Sequence, residues 1–273
     1  MGKFDGILIC TDLDGTLLNR HFEVSKENHD AIEYFKAEGG KITFITGRLH
    51  YYIGDIYRKV GPNAPVGCVN GGAVYDFDLE KYVSQTALEP SYKELIAMML
   101  EKMPEMGILV NTYEQVYYCR ENSYTPGFRR ATHLQENFKD YREIEEPVAK
   151  VAFGTYHPEE LDRAEALLRA HPLAEKFELV RTVPQLVELL PKGIHKGCAI
   201  PVLADYLGID PKKTIAVGDY DSDIGMIQTA QVGIAMGNAV EKVKKVADYI
   251  TVTNNEHAIA KIVSDLESGA III

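Results

Sequence analysis

Asp12 and Asp14 stand two residues apart in Asp12-Leu13-Asp14-Gly15-Thr16, directly after the apolar run at residues 6–11 (GILICT). A short continuous apolar run of this kind predicts a strand buried on both faces. Residues two apart on an extended segment point to the same side. Both carboxylates therefore face one place beyond the strand end, and Gly15 lets the chain turn away. Two carboxylates this close repel unless a cation or a shared proton intervenes. Mg2+ is the natural cation, because it takes carboxylate and carbonyl oxygens and keeps room for water and phosphate. A lone Asp after a strand is turn chemistry; a pair followed by Gly-Thr asks for more.

Three further groups have the same placement. Thr46-Gly47-Arg48 follows a second apolar run at residues 41–45 (KITFI). A hydroxyl and a backbone N–H at a strand end, ahead of a helix, can hold a phosphate; a plain strand-to-helix turn fits the same tripeptide. Arg48 either holds substrate or pairs structurally. His195-Lys196-Gly197 opens a helical stretch late in the chain. An isolated Lys is usually a solvated charge, but this one stands where the chain returns to a strand–helix pattern. Gly218-Asp219-Tyr220-Asp221-Ser222-Asp223 follows the run at 214–217 (TIAV). Asp219 falls at that strand end, Asp223 in the first turn of the next helix, where a carboxylate suits the dipole, and Asp221 reads as a solvated loop charge.

The elements needed to position these groups are readable. Ser25 is a good N-cap for a helix to about residue 38, stopped by Gly39-Gly40. A helical stretch from about 49, a strand at 66–69 and a hairpin at 74–75 and 82–83 follow. Near the C-terminus come a strand at 214–217, a helix at 224–228, a strand at 232–234, a helix at 240–246, a strand at 249–252 and a helix at 257–266. Alternating strands and helices predict a parallel sheet with helices on both faces. Between these halves the pattern changes: helices at 91–103 and 159–170, and strands at 108–111, 115–119, 148–153, 177–182 and 185–189. Residues 136–146 read as an irregular connection. Adjacent hairpin strands with a few helices predict an α+β unit. The fold class is thus α/β, with a Rossmann-like parallel sheet core at 1–83 and 191–273 and an inserted unit at 84–190.

Asp12–Thr16 resembles the first motif of the haloacid dehalogenase-like superfamily. The resemblance implies that Asp12 is the nucleophile, forming an aspartyl-phosphate. It implies that Asp14 protonates the leaving group and then activates water. The second Asp separates phosphatases from dehalogenases of this family. Thr46 with the Gly47 N–H is similar to its second motif, and Lys196 to its third; all three would bind the phosphoryl group. Asp219 and Asp223 match the acidic fourth motif. Mg2+ would be held by Asp12, the Asp14 backbone carbonyl and Asp219, with Asp223 as a supporting or alternate ligand. Ser222 stands where many members have an Asn that touches substrate, so it is a possible substrate contact, with Arg48 and Asn238. Pro201 lies where the helix after Lys196 should run, which puts the reach of that lysine in question. Asn70-Gly71-Gly72 and Ala235-Met236-Gly237-Asn238-Ala239 resemble the Cof-type phosphatases of subfamily IIB, whose α/β cap lies in the interval of the inserted unit. By this resemblance the substrates are small phosphate esters, sugar phosphates first. A phosphomutase and a non-catalytic phosphometabolite sensor are the competing readings. Tyr113, Tyr117, Tyr118, Arg129, Arg130 and His133 either touch a leaving group or pack; packing is the expectation for most.

The bulk sequence agrees with an enzyme of this kind. The 273 residues suit one large or two modest domains. A formal charge of −11 repels nucleic acid and anionic membrane, so neither is expected as a partner. No apolar run approaches a membrane span of ~20 residues. Gly2 begins no myristoylation pattern, because position 6 is glycine. Cys10, Cys68, Cys119 and Cys198 are scattered, which predicts reduced cysteines rather than a disulfide frame or zinc site. A cytoplasmic monomer or weak homodimer is expected.

Overall fold

The computed structural model describes residues 2–132 and 134–273. Two compact units divide the chain: residues 1–84 with 195–273, and residues 85–194. The insertion expected at 84–190 thus ends later, because the strand at its close runs on through Leu190 and Pro191.

In chain order the first unit opens with β1 (Leu8–Thr11), α1 (Lys26–Ala37), β2 (Lys41–Phe44), α2 (Gly54–Val60), β3 (Val66–Cys68), β4 (Ala73–Asp76) and β5 (Lys81–Gln85). The second holds α3 (Tyr92–Lys102), β6 (Gly107–Thr112), β7 (Val116–Arg120), α4 (Thr125–Thr132), β8 (Val148–Gly154), α5 (Pro158–Ala170), β9 (Phe177–Val183) and β10 (Leu186–Pro191). The first unit resumes with α6 (Ala199–Leu207), β11 (Thr214–Gly218), α7 (Ile224–Thr229), β12 (Val232–Ala235), α8 (Glu241–Lys244), β13 (Tyr249–Ile250) and α9 (Ala258–Ser268).

The first unit is built on a parallel sheet of order β13-β12-β11-β1-β2. A parallel bridge from Ile45 to Gly67 carries it on toward β3. Every residue of β1 and β11 is buried, as strands covered on both faces must be. Leu8, Cys10 and Ala216 pack against Ala199, Ile200 and Leu203 of α6 and Met226 of α7, and α1 and α9 lie together. Each fully buried Leu or Ile here contributes ~1.5–3 kcal/mol. Ser25 caps α1 by accepting from the Asn28 N–H.

The chain enters β1 later than residue 6, because Gly6 is left-handed (φ 77°) and turns the chain just before the strand. The helix expected over 240–246 shortens to α8, and the last strand to two residues. Pro201 falls in the first turn of α6, where an N–H has no intrahelical partner to lose, so it neither kinks nor breaks the helix.

The second unit is an antiparallel sheet of order β7-β6-β8-β10-β9. Ile108, Val110, Val151, Phe153, Val187 and Leu189 on one face share a core with Leu95 and Met99 of α3 and Leu161, Ala164 and Leu168 of α5. Residues 136–146 are mainly irregular, with one short 3-10 turn at Tyr141–Glu143 and a bridge from Phe138 to Tyr118. Helix α4 was not readable from its sequence.

Candidate active site

Asp12 follows β1, Thr46 follows β2 and Asp219 follows β11, and these strands are neighbours in the order β11-β1-β2. Three candidate side chains are thereby brought to one end of the sheet, the position where open parallel sheets bind ligands. Asp12 is 8% exposed, Thr46 4% and Lys196 4%.

Lys196 lies in a 3-10 turn (Lys196–Cys198) ahead of α6, capped by the His195 side chain accepting from the Gly197 N–H. Its Nζ donates to Asp12 Oδ1 at 2.7 Å and to Asp223 Oδ1 at 2.6 Å. Asp223 Oδ2 accepts from the backbone N–H groups of Asp219 and Tyr220, each at 2.9 Å. Asp223 is therefore a tie: it fixes the lysine and also shapes the loop that carries Asp219. Thr16, fully buried, donates to Asp219 Oδ1 at 2.8 Å.

Carboxylate oxygens of Asp12, Asp219 and Asp223 lie within 4.8 Å of one another. One ammonium against three carboxylates leaves an excess of negative charge. Burial pushes the Asp12 carboxyl up to about 7, against the pull of Lys196 and with the charge of Asp223 adding to the rise. Burial likewise raises Asp219 to about 6; the Thr16 hydrogen bond opposes this, and Asp223 and Asp14 add to it. Burial works against the charge of Lys196, but Asp12 and Asp223 outweigh it and hold the ammonium above the ordinary lysine value. A cluster of hard oxygen donors with surplus negative charge fits a divalent cation.

The remaining candidates are placed as follows. Asp14 is about half exposed and accepts from Arg48 at 2.9 Å. Thr46 Oγ1 accepts from the Arg48 N–H at 3.3 Å, and the Thr46 N–H donates to the Gly67 carbonyl. Gly47 sits between them, against the side chain of Asn70. Ser222 is half-buried in the 3-10 turn Asp221–Asp223. Asn238 donates to the Gly15 carbonyl at 2.8 Å and accepts from the Asn254 N–H at 2.9 Å, so both ends of its amide brace the loop after Asp14. Asp221 pairs with Lys242 at the surface.

In the second unit, Tyr113 donates to the Thr86 carbonyl and Tyr117 to Glu146. Arg129 pairs with Glu121 and Glu136 and lies over the Tyr118 ring. These contacts are packing and pairing; Arg130 is exposed, and His133 lies outside the described residues. Thr16 and the tie made by Asp223 are the parts of the site that sequence reasoning did not assign. Thr16 belonged to the quoted motif, and only its placement opposite Asp219 gives it a task.

Comparison with known proteins finds relatives along nearly the whole chain. The profile of haloacid dehalogenase-like hydrolases matches residues 9–263. The Bacillus subtilis protein YxeH is 31% identical over 274 residues, covering 95% of this chain and 97% of that protein. Another B. subtilis relative, 5-amino-6-(5-phospho-D-ribitylamino)uracil phosphatase YwtE, is 27% identical over 290 residues, covering 96% of this chain and 98% of its own. Among solved structures, a haloacid dehalogenase-like hydrolase from Bacteroides thetaiotaomicron superposes with a TM-score of 0.83 at 27% identity, over 95% of this chain and 99% of that one. The subclass IIB sugar phosphatase BT4131 shares the fold, with a TM-score of 0.80 at 24% identity over 97% of this chain and all of its own. The chain belongs to the haloacid dehalogenase-like hydrolases, and to the phosphatases among them.

Proposed function

We propose that this phosphatase is Mg2+-dependent and hydrolyses small phosphorylated metabolites, sugar phosphates foremost, through a phosphoryl group carried on Asp12. The observation that carries the reading is the buried Asp12 carboxylate held by Lys196 at 2.7 Å, with Asp219 and Asp223 beside it.

Asp12 attacks phosphorus, and the bond from phosphorus to the ester oxygen breaks. Asp14, protonated, gives its proton to that oxygen, and the alcohol leaves. The Asp14 carboxylate then takes a proton from water as the water oxygen attacks the phosphorus. Inorganic phosphate departs, Asp12 is restored and Asp14 is again protonated. Thr46, the Gly47 N–H and Lys196 bind the phosphoryl oxygens in both steps, as charge builds on them. Asp12, the Asp14 carbonyl and Asp219 would hold the cation, with Asp223 in support. When bound, Mg2+ supplies charge neutralisation between the carboxylate nucleophile and the anionic ester.

One observation supports the substrate class. YwtE, similar along nearly its whole length, is named for a phosphate on a ribityl chain, a sugar alcohol. The second unit is inserted between the segments carrying Thr46 and Lys196, and we assign it the selection of the leaving group. Its sheet and two-helix core give it a stable frame for that task. The four cysteines are thiols, in keeping with a cytoplasmic enzyme, and no helix among the described residues is long and apolar enough to cross a membrane.

The test is phosphate release from a panel of hexose, pentose, polyol and nucleotide monophosphates, with and without Mg2+. Expected are Mg2+-dependent turnover and the highest kcat/KM on a sugar or polyol phosphate. A nucleotide as best substrate would overturn the substrate class; undiminished turnover after chelation would overturn the metal.

A further inference from the structure

The turn after β3 holds three left-handed residues in succession: Val69 (φ 52°), Asn70 (φ 52°) and Gly71 (φ 87°). A β-branched residue resists this region, and such strain persists only where the surroundings over-determine it. The surroundings here are the turns that carry Thr46 and Lys196. The Val69 N–H donates to the Arg48 carbonyl at 3.1 Å, and the Asn70 N–H to the Thr46 carbonyl at 3.0 Å. On the other side a Cβ on Gly71 would collide with the His195 carbonyl and lie 3.0 Å from Lys196 Cα. The strained turn is thus wedged against the backbone of the two turns that carry Thr46 and Lys196.

Asn70 is 5% exposed, and its amide lies directly over Gly47. A Cβ at Gly47 would sit 3.0 Å from Asn70 Oδ1 and 3.3 Å from Nδ2, so this approach depends on a glycine there. Among the described residues Asn70 Nδ2 has no hydrogen-bond partner. A buried donor without a partner is costly, and here it coincides with strained backbone beside a phosphate-binding turn. Such a donor has already shed its water and loses none when an anion arrives.

We propose that Asn70 is a phosphoryl-binding residue: Nδ2 donates to a non-bridging oxygen of the phosphoryl group seated at the Thr46–Gly47 turn, in the ester and in inorganic phosphate alike. This rests on the reading of Thr46 and Lys196 as phosphoryl-binding groups. It gives the strained turn its purpose, which is to hold the amide against Gly47 while tying both loops together.

Two substitutions test it. Asn70→Gly removes the amide and suits φ 52°; Asn70→Asp keeps size and left-handed tolerance but replaces the donor with an acceptor. Wild type and both variants are assayed with Mg2+ and p-nitrophenyl phosphate, inorganic phosphate serves as competitive inhibitor, and Tm is recorded. Expected for Asn70→Gly is a rise in KM and in the phosphate Ki of about tenfold or more, the loss of one hydrogen bond to a charged group. Asn70→Asp rises further, and Tm stays within about 4 °C of wild type in whichever variant is soluble. An unchanged Ki in the soluble variants overturns the assignment and leaves Asn70 a purely structural residue. A wild-type protein that neither cleaves the ester nor binds inorganic phosphate would instead overturn the phosphatase mechanism, and this assignment with it.

Discussion

Lys196 is a buried cation between two buried carboxylates, and its partners identify the electrostatic problem the site must solve. Asp12 and Asp219 are raised to about 7 and about 6 from an ordinary value of 3.8, both first by burial. Between about pH 4 and 7 the folded chain therefore binds more protons at these groups than the unfolded chain does, so their contribution to stability falls as pH rises through that window. A divalent cation favours the ionised carboxylates and reverses the loss. Calorimetry should show a larger Tm gain on adding Mg2+ at about pH 7.5 than at about pH 5, since binding to the folded state alone stabilises it. An equal gain at both values would contradict a cation held by these acids. Asp12, Asp14, Thr46, Lys196 and Asp219 could be proposed from the sequence because each ends or follows a recognisable element, and the structure places Asp12, Thr46 and Asp219 at one end of the parallel sheet. The double use of Asp223, the hydrogen bond from Thr16 and the orphan amide of Asn70 could not be proposed this way. Each depends on atoms that meet only when distant loops are brought together.

Strands and helices were legible where apolar pattern and punctuation agreed. Ser25 marks the start of α1 and Gly39-Gly40 its end, and β2, β11 and β12 lie where the apolar runs put them. Helix α4 was missed because Thr125-Pro126-Gly127 reads as a turn and the segment buries little: Thr125 is its one buried residue. The 3-10 turn at Lys196 resolves the difficulty posed by Pro201, since the helix proper begins only at Ala199. Ser25 also bonds His257 Nδ1 at 2.9 Å, joining α1 to the start of α9. Ser25→Ala should cost about 1 kcal/mol and lower Tm by about 2–4 °C, with kcat unchanged because the cap is remote from the reacting atoms. Urea denaturation and a phosphate-release assay check the two halves of this expectation; a fall in kcat would show that α1 helps to shape the site.

For the whole molecule, the proposed function assigns reaction to one unit and selection to the other. The residues assigned to chemistry all lie in the unit formed by 1–84 and 195–273, while 85–194 has a core of its own. Replacing residues 85–194 by the corresponding segment of YwtE should shift the preferred ester toward that enzyme's substrate and leave the Ki for inorganic phosphate unchanged; loss of phosphate binding in a folded hybrid would refute this division. The insertion was legible because the pattern switches from alternation to hairpins, but its true end at 194 was not, since β10 continues into the connection without a break in composition. The central claim is that the phosphoryl group passes through Asp12. Rapid acid quench during turnover of a labelled ester, followed by peptide mass spectrometry, tests it directly. The account predicts a phosphoryl group on the peptide containing Asp12, absent in Asp12→Asn, which should also have lost turnover. Full activity in Asp12→Asn, or label on a different residue, would contradict it.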